Sequence, residues 1–381
     1  MKIMHVSFSL NMGGLENVIL NLCGGLNKGK FSQSVCVLSD ELGLKTQFDE
    51  SNIPVVSFSK KNGIDLNLVL RLKKFFRDNP ADIVHTHNPT ALLYGGLAAV
   101  LSGKKLVHTE HSNLMQGKKL MNFAESLLFR MVRGLVCDTE EVKQSVHKNQ
   151  GISLDKIKVI CNGVDVKKFC LDDMDSLPAG LPADRHGRQG RLRGNDRGNG
   201  DDKKVFTIGT VARLALVKDQ KSMINAVQIL KEKGRNVKLV IAGDGELKNV
   251  LMDHAKKCEV ENCVEFLGER MDIADILKSF DAYVLCSLYE GMSVSLLEAM
   301  SSSLPCIVTN VGGNVELIKD GDNGFLIPVK DPDAISACVE KLIDDPVLCE
   351  TMGQANRKLV EEKYSLRVMC REYEKIYEEV C

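Results

Sequence analysis

The chain has 381 residues, more than the roughly 100–200 residues of a typical domain, so its length predicts two domains. Its hydrophobic (44%) and charged (27%) fractions exclude a fully disordered chain, and its net charge of −1 does not favour nucleic acid as a partner. No apolar run approaches the ~20 residues of a membrane-spanning helix, and the first residues resemble a strand more than a signal peptide. The thirteen cysteines are scattered without metal-site spacing. We therefore expect a cytoplasmic protein with reduced thiols.

Short apolar segments alternate with longer amphipathic segments along almost the whole chain. Six predicted strands lie in the first half: Ile3–Phe8, Ser34–Leu38, Pro54–Phe58, Asp82–His85, Lys105–Thr109 and Leu135–Cys137. Six more lie in the second half: Val205–Val211, Val237–Ala242, Val264–Leu267, Ala282–Cys286, Cys306–Thr309 and Gly324–Ile327. Several are apolar throughout, which is typical of strands buried on both faces. The alternation predicts an α/β fold with two doubly wound parallel sheets joined by right-handed helical crossovers.

The strand–helix pattern stops once, between Leu171 and Lys204. This segment is rich in Gly, Asp and Arg and has few large apolar residues, so residues 171–203 are predicted to be a flexible linker. The predicted domains are then residues 1–170 and 204–364, and we expect ligands to bind in a cleft between them. A final predicted helix, at about residues 365–381, is a candidate to pack back on the first domain.

Two loops that follow predicted strands contain residues suited to anions. Gly13 and Gly14 lie where the first strand turns into the first helix, and such a turn allows close backbone approach to a ligand. The spacing is not GxGxxG, which argues against a nicotinamide-dependent dehydrogenase. Arg213 and Lys218 follow the first strand of the second domain, where a guanidinium fork and an ammonium suit a diphosphate. A structural glycine turn and a solvated basic loop are the alternative interpretations.

The most specific pattern is SLYEGMSVSLLEAM, which follows an apolar strand. It places Glu290 and Glu298 on either side of a turn, with Ser293 as the predicted N-cap of a helix at about residues 294–300. Carboxylates there can accept hydrogen bonds from sugar or ribose hydroxyls, while the first amides of the helix can hold phosphate. The alternative interpretation is that neither carboxylate binds a ligand: Glu298 pairs with a neighbouring cation, and Glu290 is exposed to solvent.

Three histidines lie at the ends of two predicted strands in the first domain. His111 follows the fifth strand, and His85 and His87 lie on the fourth strand, two positions apart, so their side chains point the same way. We expect all three to face the cleft and to be available to a substrate. A metal site would need further ligands at suitable spacing, so no metal is predicted.

Together these motifs closely resemble the retaining glycosyltransferases of family 4 (glycosyl transferases group 1), which have the GT-B fold of two Rossmann-like domains. The resemblance covers nearly the whole chain and rests on GGLENV, HTHNP, TEHS, CNGVD, VARL, KDQ, VIAGDGEL, VEFLGE and EGMSVSLLEAM. The motif sequences are most similar to those of bacterial sugar transferases associated with exopolysaccharide synthesis. The family implies transfer of a sugar from a nucleoside-diphosphate sugar to a hydroxyl of a glycan or lipid-linked acceptor, without an obligatory metal or other cofactor.

The resemblance implies roles for residues of the second domain, which binds the nucleotide sugar. Arg213 and Lys218 would clamp the donor diphosphate. Glu290 would contact hydroxyls of the donor sugar, and Glu298 would bind the ribose. The amides of four neighbouring residues would hold sugar and phosphate: Gly291, Met292, Ser293 and Val294. Arg270 would lie near the nucleotide base.

In the first domain, which the family uses for the acceptor, the resemblance implies that Gly13 and Gly14 approach phosphate or acceptor. His111 matches the active-site histidine near the reacting sugar. The long linker departs from the compact join usual in the family, which leaves the geometry of cleft closure open.

Two other functions remain as alternatives: a non-catalytic nucleotide-sugar-binding partner of a glycosyltransferase complex, and a GT-B-like nucleotide-sugar epimerase. The amphipathic segment Met115–Arg133 also has two interpretations. Its basic residues and apolar stripe suit peripheral contact with the cytoplasmic membrane face, and equally a helix that covers a sheet. The donor nucleotide, the sugar, the linkage and the acceptor are not specified by the sequence.

Overall fold

The computed structural model describes residues 1–11, 13–111, 119–170 and 205–381. These residues form two compact units. The first contains Met1–Asp165 and Tyr364–Cys381, and the second contains Val166–Lys363. The predicted linker, residues 171–203, lies outside the described residues, as do residues 112–118, which include the beginning of the amphipathic segment Met115–Arg133.

The first unit contains a parallel sheet of seven strands in the order β3-β2-β1-β4-β5-β6-β7. The strands are β1 Lys2–Ser7, β2 Ser32–Val37, β3 Val55–Ser57, β4 Ile83–His87, β5 Lys105–Glu110, β6 Gly134–Cys137 and β7 Ile157–Val159. The sequence predicted six strands here, and that count was wrong. The edge strand β7 was missed because it has only three residues, with an exposed lysine in the middle.

Helices cover both faces of this sheet, as crossovers between parallel strands require. They are α1 Gly14–Gly25, α2 Lys45–Glu50, α3 Leu66–Asp78, α4 Pro89–Ala91, α5 Leu97–Leu101, α6 Lys119–Met131 and α7 Glu140–Gln150, with a π-helical turn at Leu92–Gly96 between α4 and α5. In α3, the Asp65 side chain accepts a hydrogen bond from the Leu68 amide and caps the helix. Leu68, Leu72 and Phe76, four residues apart, are buried along one face.

The last helix, α15 Leu366–Val380, belongs to the first unit although it follows the second in sequence. It packs against α1 and β6. Tyr377 Oη lies 2.8 Å from Nδ1 of His85, and Tyr373 Oη lies 3.0 Å from the hydroxyl of Thr109. The C-terminal helix thus supplies polar partners for the interior of the first sheet.

The second unit contains a parallel sheet of six strands in the order β10-β9-β8-β11-β12-β13, as the sequence predicted in number. The strands are β8 Phe206–Val211, β9 Val237–Ala242, β10 Val264–Gly268, β11 Ala282–Leu285, β12 Cys306–Thr309 and β13 Gly324–Ile327. The helices are α8 Gln220–Glu232, α9 Lys248–Lys257, α10 Ile273–Lys278, α11 Val294–Ser301, α12 Asn314–Leu317, α13 Pro332–Asp344 and α14 Pro346–Lys363.

The two sheets share a strand order that reverses beside the first strand of each unit, between β1 and β4 and between β8 and β11. Connections on either side of such a point leave the sheet in opposite directions and open a crevice at the carboxyl ends of the strands, where ligands of these folds bind. The fold therefore marks the loops after β1, β4, β8 and β11 as candidate sites. Within the described residues, no helix combines the length and the apolar character needed to cross a bilayer.

Candidate functional site

Lys218 and Glu290 form an ion pair at the reversal point of the second sheet. Lys218 closes a short 3-10 turn after β8, and Glu290 follows β11. Lys218 Nζ lies 2.5 Å from Oε1 and 2.8 Å from Oε2 of Glu290, so the ammonium contacts both carboxylate oxygens. Glu290 is only 8% exposed, whereas the Lys218 side chain is 21% exposed. Two residues that the sequence singled out separately are thus in direct contact.

The backbone holds Glu290 in place from two sides. The Leu288 amide donates a 2.8 Å hydrogen bond to the carbonyl of Val217, which ties the loop after β11 to the loop after β8. On the other side, Gly312 approaches so closely that a Cβ atom there would lie 1.7 Å from the Glu290 carbonyl oxygen. Gly312 also has φ of +50°, a left-handed conformation that favours glycine.

The helix after Glu290 begins as the sequence predicted. The Ser293 hydroxyl accepts a hydrogen bond from the Leu296 amide and caps α11. The first amides of α11 are free of intrahelical partners and carry partial positive charge beside Glu290. Glu298 lies farther along α11, where burial raises its pKa to about 7 against the weaker opposing effect of Lys168.

The two predicted arginines of the second unit differ in their surroundings. The Arg213 side chain is exposed in the loop after β8, and no ion pair involves it within the described part of the chain. Arg270 forms a bidentate pair with Asp272, whose carboxylate raises the arginine's pKa while its own pKa is lowered. Arg213 is therefore the cation of this loop with charge available to a ligand, whereas the charge of Arg270 is already balanced.

At the first unit, Gly13 is the N-cap of α1 and Gly14 is its first residue. Glu16 lies in the first turn of this helix and accepts a hydrogen bond from the Ser9 hydroxyl at 3.0 Å. Burial raises the pKa of Glu16, and nearby His111 opposes that shift. Glu16 was part of the GGLENV motif but was not singled out from the sequence, although an acidic residue in the first turn after a glycine loop was the signal available.

The expectation that three histidines face a ligand was wrong for two of them. His85 and His87 are fully buried. Tyr377 of α15 and Thr109 of β5 supply partners for His85, and His5 of β1 lies within hydrogen-bond distance of His87. His111 keeps 11% of its side chain exposed and lies at the carboxyl end of β5. Its Nε2 lies 3.4 Å from Nδ1 of His87, and its Nδ1 lies 3.7 Å from Oδ2 of Asp138. Asp138, directly after β6, had no distinguishing signal in the sequence.

Three buried histidines, His5, His85 and His87, come close enough to hold a metal ion, with ligand atoms within 4.8 Å of one another. Every ring nitrogen of the three also lies within hydrogen-bond distance of a protein group. Burial lowers the pKa of His5 to about 4 and holds those of His85 and His87 well below their usual range, so the rings are neutral. The sequence prediction of no metal remains a prediction.

Comparison with known proteins identifies families for both halves of the chain. Residues 12–168 match Glycosyltransferase Family 4, and residues 194–359 match Glycosyl transferases group 1. The chain is 30% identical over 374 residues to UDP-Gal:alpha-D-GlcNAc-diphosphoundecaprenol alpha-1,3-galactosyltransferase of Escherichia coli, which covers 94% of this chain and 92% of that protein. It is 32% identical over 305 residues to the putative glycosyltransferase EpsD of Bacillus subtilis, covering 77% of this chain and 76% of that protein.

A solved structure supports the fold. Anabaena HepE in complex with UDP-glucose superimposes with a TM-score of 0.82 at 20% identity and covers 99% of each chain. At that identity the likeness establishes the architecture of two Rossmann-like domains and no more. The full-length similarity to the E. coli enzyme and the two family matches carry the assignment further. The chain belongs to the family 4 glycosyltransferases, has the GT-B fold and is a glycosyltransferase.

Proposed function

We propose that this enzyme transfers a sugar from a UDP-sugar to a hydroxyl of a glycan or lipid-linked acceptor, with retention of anomeric configuration, in bacterial cell-surface polysaccharide synthesis. The observation that carries the proposal is the Lys218–Glu290 pair beside the start of α11, at the reversal point of the second sheet. The names of the E. coli relative and of the capsular polysaccharide glycosyltransferase CapM of Staphylococcus aureus support the substrate class.

The second unit has the groups that donor activation requires. As the bond from sugar to diphosphate breaks, negative charge grows on the leaving phosphate. The ammonium of Lys218, the exposed guanidinium of Arg213 and the first amides of α11 are positioned to offset that charge. Lys218 contacts Glu290 in the structure, so in this proposal a diphosphate shares the ammonium with Glu290, whose carboxylate then accepts hydrogen bonds from sugar hydroxyls.

In this proposal Glu298 binds the nucleotide ribose and Arg270 lies near the base, while the amides from Gly291 to Val294 contact sugar and phosphate. The first unit contacts the acceptor through the loop of Gly13 and Gly14 and through His111. Because Lys218 and Arg213 supply fixed positive charge, no metal is required to stabilise the leaving group. Activity that persists after dialysis against EDTA supports this, and loss of activity restored by Mg²⁺ or Mn²⁺ contradicts it.

The donor is tested by thermal shift with UDP-, GDP- and ADP-sugars, since a ligand of the native state raises the melting temperature. We expect UDP-sugars to stabilise the enzyme most. Transfer is then followed with a GlcNAc-diphosphate lipid as acceptor, and NMR of the product reports the anomer. An inverted product contradicts retention, and stabilisation by GDP- or ADP-sugars alone contradicts the UDP assignment.

The two alternatives are separated by the same reagents. An epimerase converts the donor sugar without any acceptor, which NMR of donor and enzyme alone detects. A non-catalytic partner binds the donor but shows no transfer. Because the sequence has Lys218, Glu290 and Arg213 at the positions to which the family resemblance assigns donor binding, we expect turnover.

For lipid-linked acceptors we propose that α6 touches the membrane surface. Leu127 and Met131, one helical turn apart, are 55% and 46% exposed, and Arg130 beside them is exposed too. A cleft next to α6 has four basic residues in its lining, Arg130, Arg133, Lys156 and Lys158, against two acidic ones, Asp155 and Glu379. Apolar and basic groups together suit an anionic bilayer. Flotation with phosphatidylglycerol vesicles tests this: Leu127→Asn/Met131→Asn should weaken binding, and unchanged binding contradicts the proposal.

A further inference from the structure

A row of imidazole rings crosses the first sheet from its interior to its carboxyl edge. Gln33 Oε1, on β2, lies 2.8 Å from Nε2 of His5 on β1. His5 Nδ1 lies 3.0 Å from Nε2 of His87 on β4. The row continues through His87 to His111 and then to Asp138. Five side chains from five different segments thus form one chain of polar contacts that ends beside the proposed acceptor site.

Asp138, at one end of this chain of polar contacts, favours one direction of its hydrogen bonds, and Gln33 at the other end decides whether the remaining rings can adopt that direction. Asp138 Oδ2 lies 3.7 Å from Nδ1 of His111, beyond hydrogen-bond distance, but the negative charge of an ionised carboxylate favours a proton on the nitrogen that faces it. Asp138 is 2% exposed, and its other oxygen, Oδ1, has no hydrogen-bond partner within the described residues. The electrostatic preference for an N–H at His111 is correspondingly strong in this dry environment.

A proton on Nδ1 of a neutral His111 leaves Nε2 as an acceptor. It then accepts from Nδ1–H of His87, whose Nε2 in turn accepts from Nδ1–H of His5. All three rings carry the proton on Nδ1, and all three stay neutral. Nε2 of His5 is left as an acceptor that needs a donor.

Gln33 is able to supply that donor. In the orientation of the structure its Nε2 is buried and has no hydrogen-bond partner among the residues that the structure describes, while Oε1 faces His5. Rotation of the carboxamide by 180° exchanges the two atoms and directs the NH₂ group at His5. A buried N–H without a partner is rarer in proteins than an under-satisfied carbonyl, so the rotated orientation is the favoured one.

The opposite direction of these hydrogen bonds would give His111 a different protonation state. If Gln33 Oε1 accepts from His5, each ring carries its proton on Nε2, and Nδ1 of His111 faces Asp138 either as a lone pair or with a second proton. The first arrangement is repulsive and the second makes His111 an imidazolium. The chain of polar contacts also ends at the side-chain amide of Gln33, which takes up no proton. These contacts are therefore suited to orienting His111 and not to conducting protons through the sheet.

We infer that Gln33, His5 and His87 are positioning residues that hold His111 as the neutral tautomer with its proton on Nδ1 and its ring directed between His87 and Asp138. His111 then presents a fixed, uncharged ring edge to the acceptor, and it is unavailable as a general base unless its contact with His87 breaks. The geometric part of this inference stands on the first unit alone. Its relevance to catalysis depends on the proposed function.

The direct test is ¹⁵N NMR of the imidazole nitrogens in the full-length enzyme at pH 8, which distinguishes the two tautomers and the imidazolium. The chain has eight histidines, so His111→Gln assigns the signals. We expect a neutral His111 protonated on Nδ1. In Gln33→Glu the introduced carboxylate accepts from His5 and reverses the direction, so the proton of His111 should move to Nε2. Gln33→Met, which has no polar end group, should give a mixture.

Two matched variants on β4 distinguish the loss of this chain of polar contacts from general damage to the sheet. His87→Asn breaks the chain, whereas His85→Asn removes an equally buried ring that bonds Tyr377 and Thr109 instead. Only the first should change the tautomer of His111. Gln33 is half-buried at the start of β2, so its variants keep the test available if the β4 variants fail to fold.

In the transfer assay we expect Gln33→Glu to lower kcat about ten- to a hundredfold with little change in donor KM, the cost of a misdirected group near the reacting atoms. An imidazolium or an Nε2-protonated His111 in the wild type overturns the inference, as does an unchanged tautomer in Gln33→Glu. A changed tautomer with unchanged kcat overturns the positioning role. If the wild type transfers no sugar, the proposed function fails, and the NMR result still decides the tautomer.

Discussion

The carboxyl edges of the two sheets have the same topology and opposite chemistry. At the second sheet, the partly exposed Lys218 pairs with the buried Glu290 of opposite charge, and the exposed Arg213 lies in the same loop as Lys218. At the first sheet, buried neutral imidazoles lie behind the edge, and among the described histidines of this sheet and its carboxyl edge only His111 reaches solvent. A reversed strand order supplies a crevice in both units, but the side chains decide whether that crevice holds charge or orients a ring.

The difference has an energetic cause. Charges at a rim keep part of their hydration and bind an anion without a large desolvation cost, whereas histidines inside a sheet stay neutral because burial penalises the imidazolium. We therefore expect substitutions at the second edge to affect catalysis more than stability. Substitutions behind the first edge should affect stability more.

The sharpest test of the charged edge is Lys218→Met. It removes the cation that is proposed to face the leaving phosphate and leaves Glu290 without its partner, so kcat/KM should fall by about 10³, typical of a lost charge-stabilising donor. Initial rates of sugar transfer measure this. Lys238→Met is the matched control, since Lys238 forms a pair of similar length, 2.7 Å from Glu265, on the surface of the same unit. Equal rates for the two variants would refute the proposed role of Lys218.

Gly312→Ala tests whether the position of Glu290 matters as much as its charge. The added methyl group meets the Glu290 carbonyl, so this backbone must move. We expect a loss of about 1–3 kcal/mol in stability from overpacking and a drop of about a hundredfold in kcat/KM from the displaced carboxylate. Urea unfolding and transfer rates measure the two effects.

Gly321→Ala is the control for that change. Gly321 also has a left-handed φ of +80°, but a methyl group there meets nothing within 4 Å. It should lose only the stability cost of the conformation and keep full activity. A Gly312 variant that behaves like the Gly321 variant contradicts the crowding argument.

Glu298 gives the second edge a pH dependence. If ribose binds best to the ionised carboxylate, a pKa of about 7 predicts that donor Kd tightens about tenfold between pH 6 and pH 8, since the competent fraction rises by that factor. Isothermal titration of the donor measures it. Glu298→Gln should bind weakly with a flat profile, and a wild-type profile that is equally flat excludes Glu298 as the cause.

Glu298 also makes stability depend on pH, and in the opposite direction: stability falls with rising pH, whereas donor binding strengthens. Its pKa is raised from 4.5 to about 7 in the folded chain, so the folded state holds an extra proton between these values. The free energy of unfolding should therefore fall as pH rises from about 4.5 to about 7, and Glu298→Gln should remove that part of the slope.

Tyr377→Phe tests the buried side of the comparison and should have the smallest effect on activity. It leaves Nδ1 of His85 without its partner inside the first unit, which costs about 1–3 kcal/mol of stability. Denaturant unfolding measures the loss, and kcat should stay close to that of the wild type. A large drop in kcat with unchanged stability would show that the interior of the first sheet acts in catalysis through His85 as well.

Most elements were predictable because they depend on local patterns. β9, β12 and β13 have the predicted bounds, and the capping residue Ser293 was identified because a serine before an apolar helix satisfies a free amide. β7 was missed because three residues are too few for a pattern. Asp138 and Glu16 were missed because an acidic residue after a strand or in a first helical turn is common on surfaces.

What the sequence determined alone is the order of strands and helices, the two-domain architecture and the residue types at the strand ends, since periodicity and turn chemistry act over a few positions. The tertiary structure decided which of those residues meet. Lys218 contacts Glu290 across 72 positions, and the ring of His85 is covered by Tyr377 from 292 positions away. Alternation along β4 predicts that His85 and His87 share a face. Only the packing of distant segments decides that this face is buried: α15 covers His85, and His5 of β1 lies beside His87.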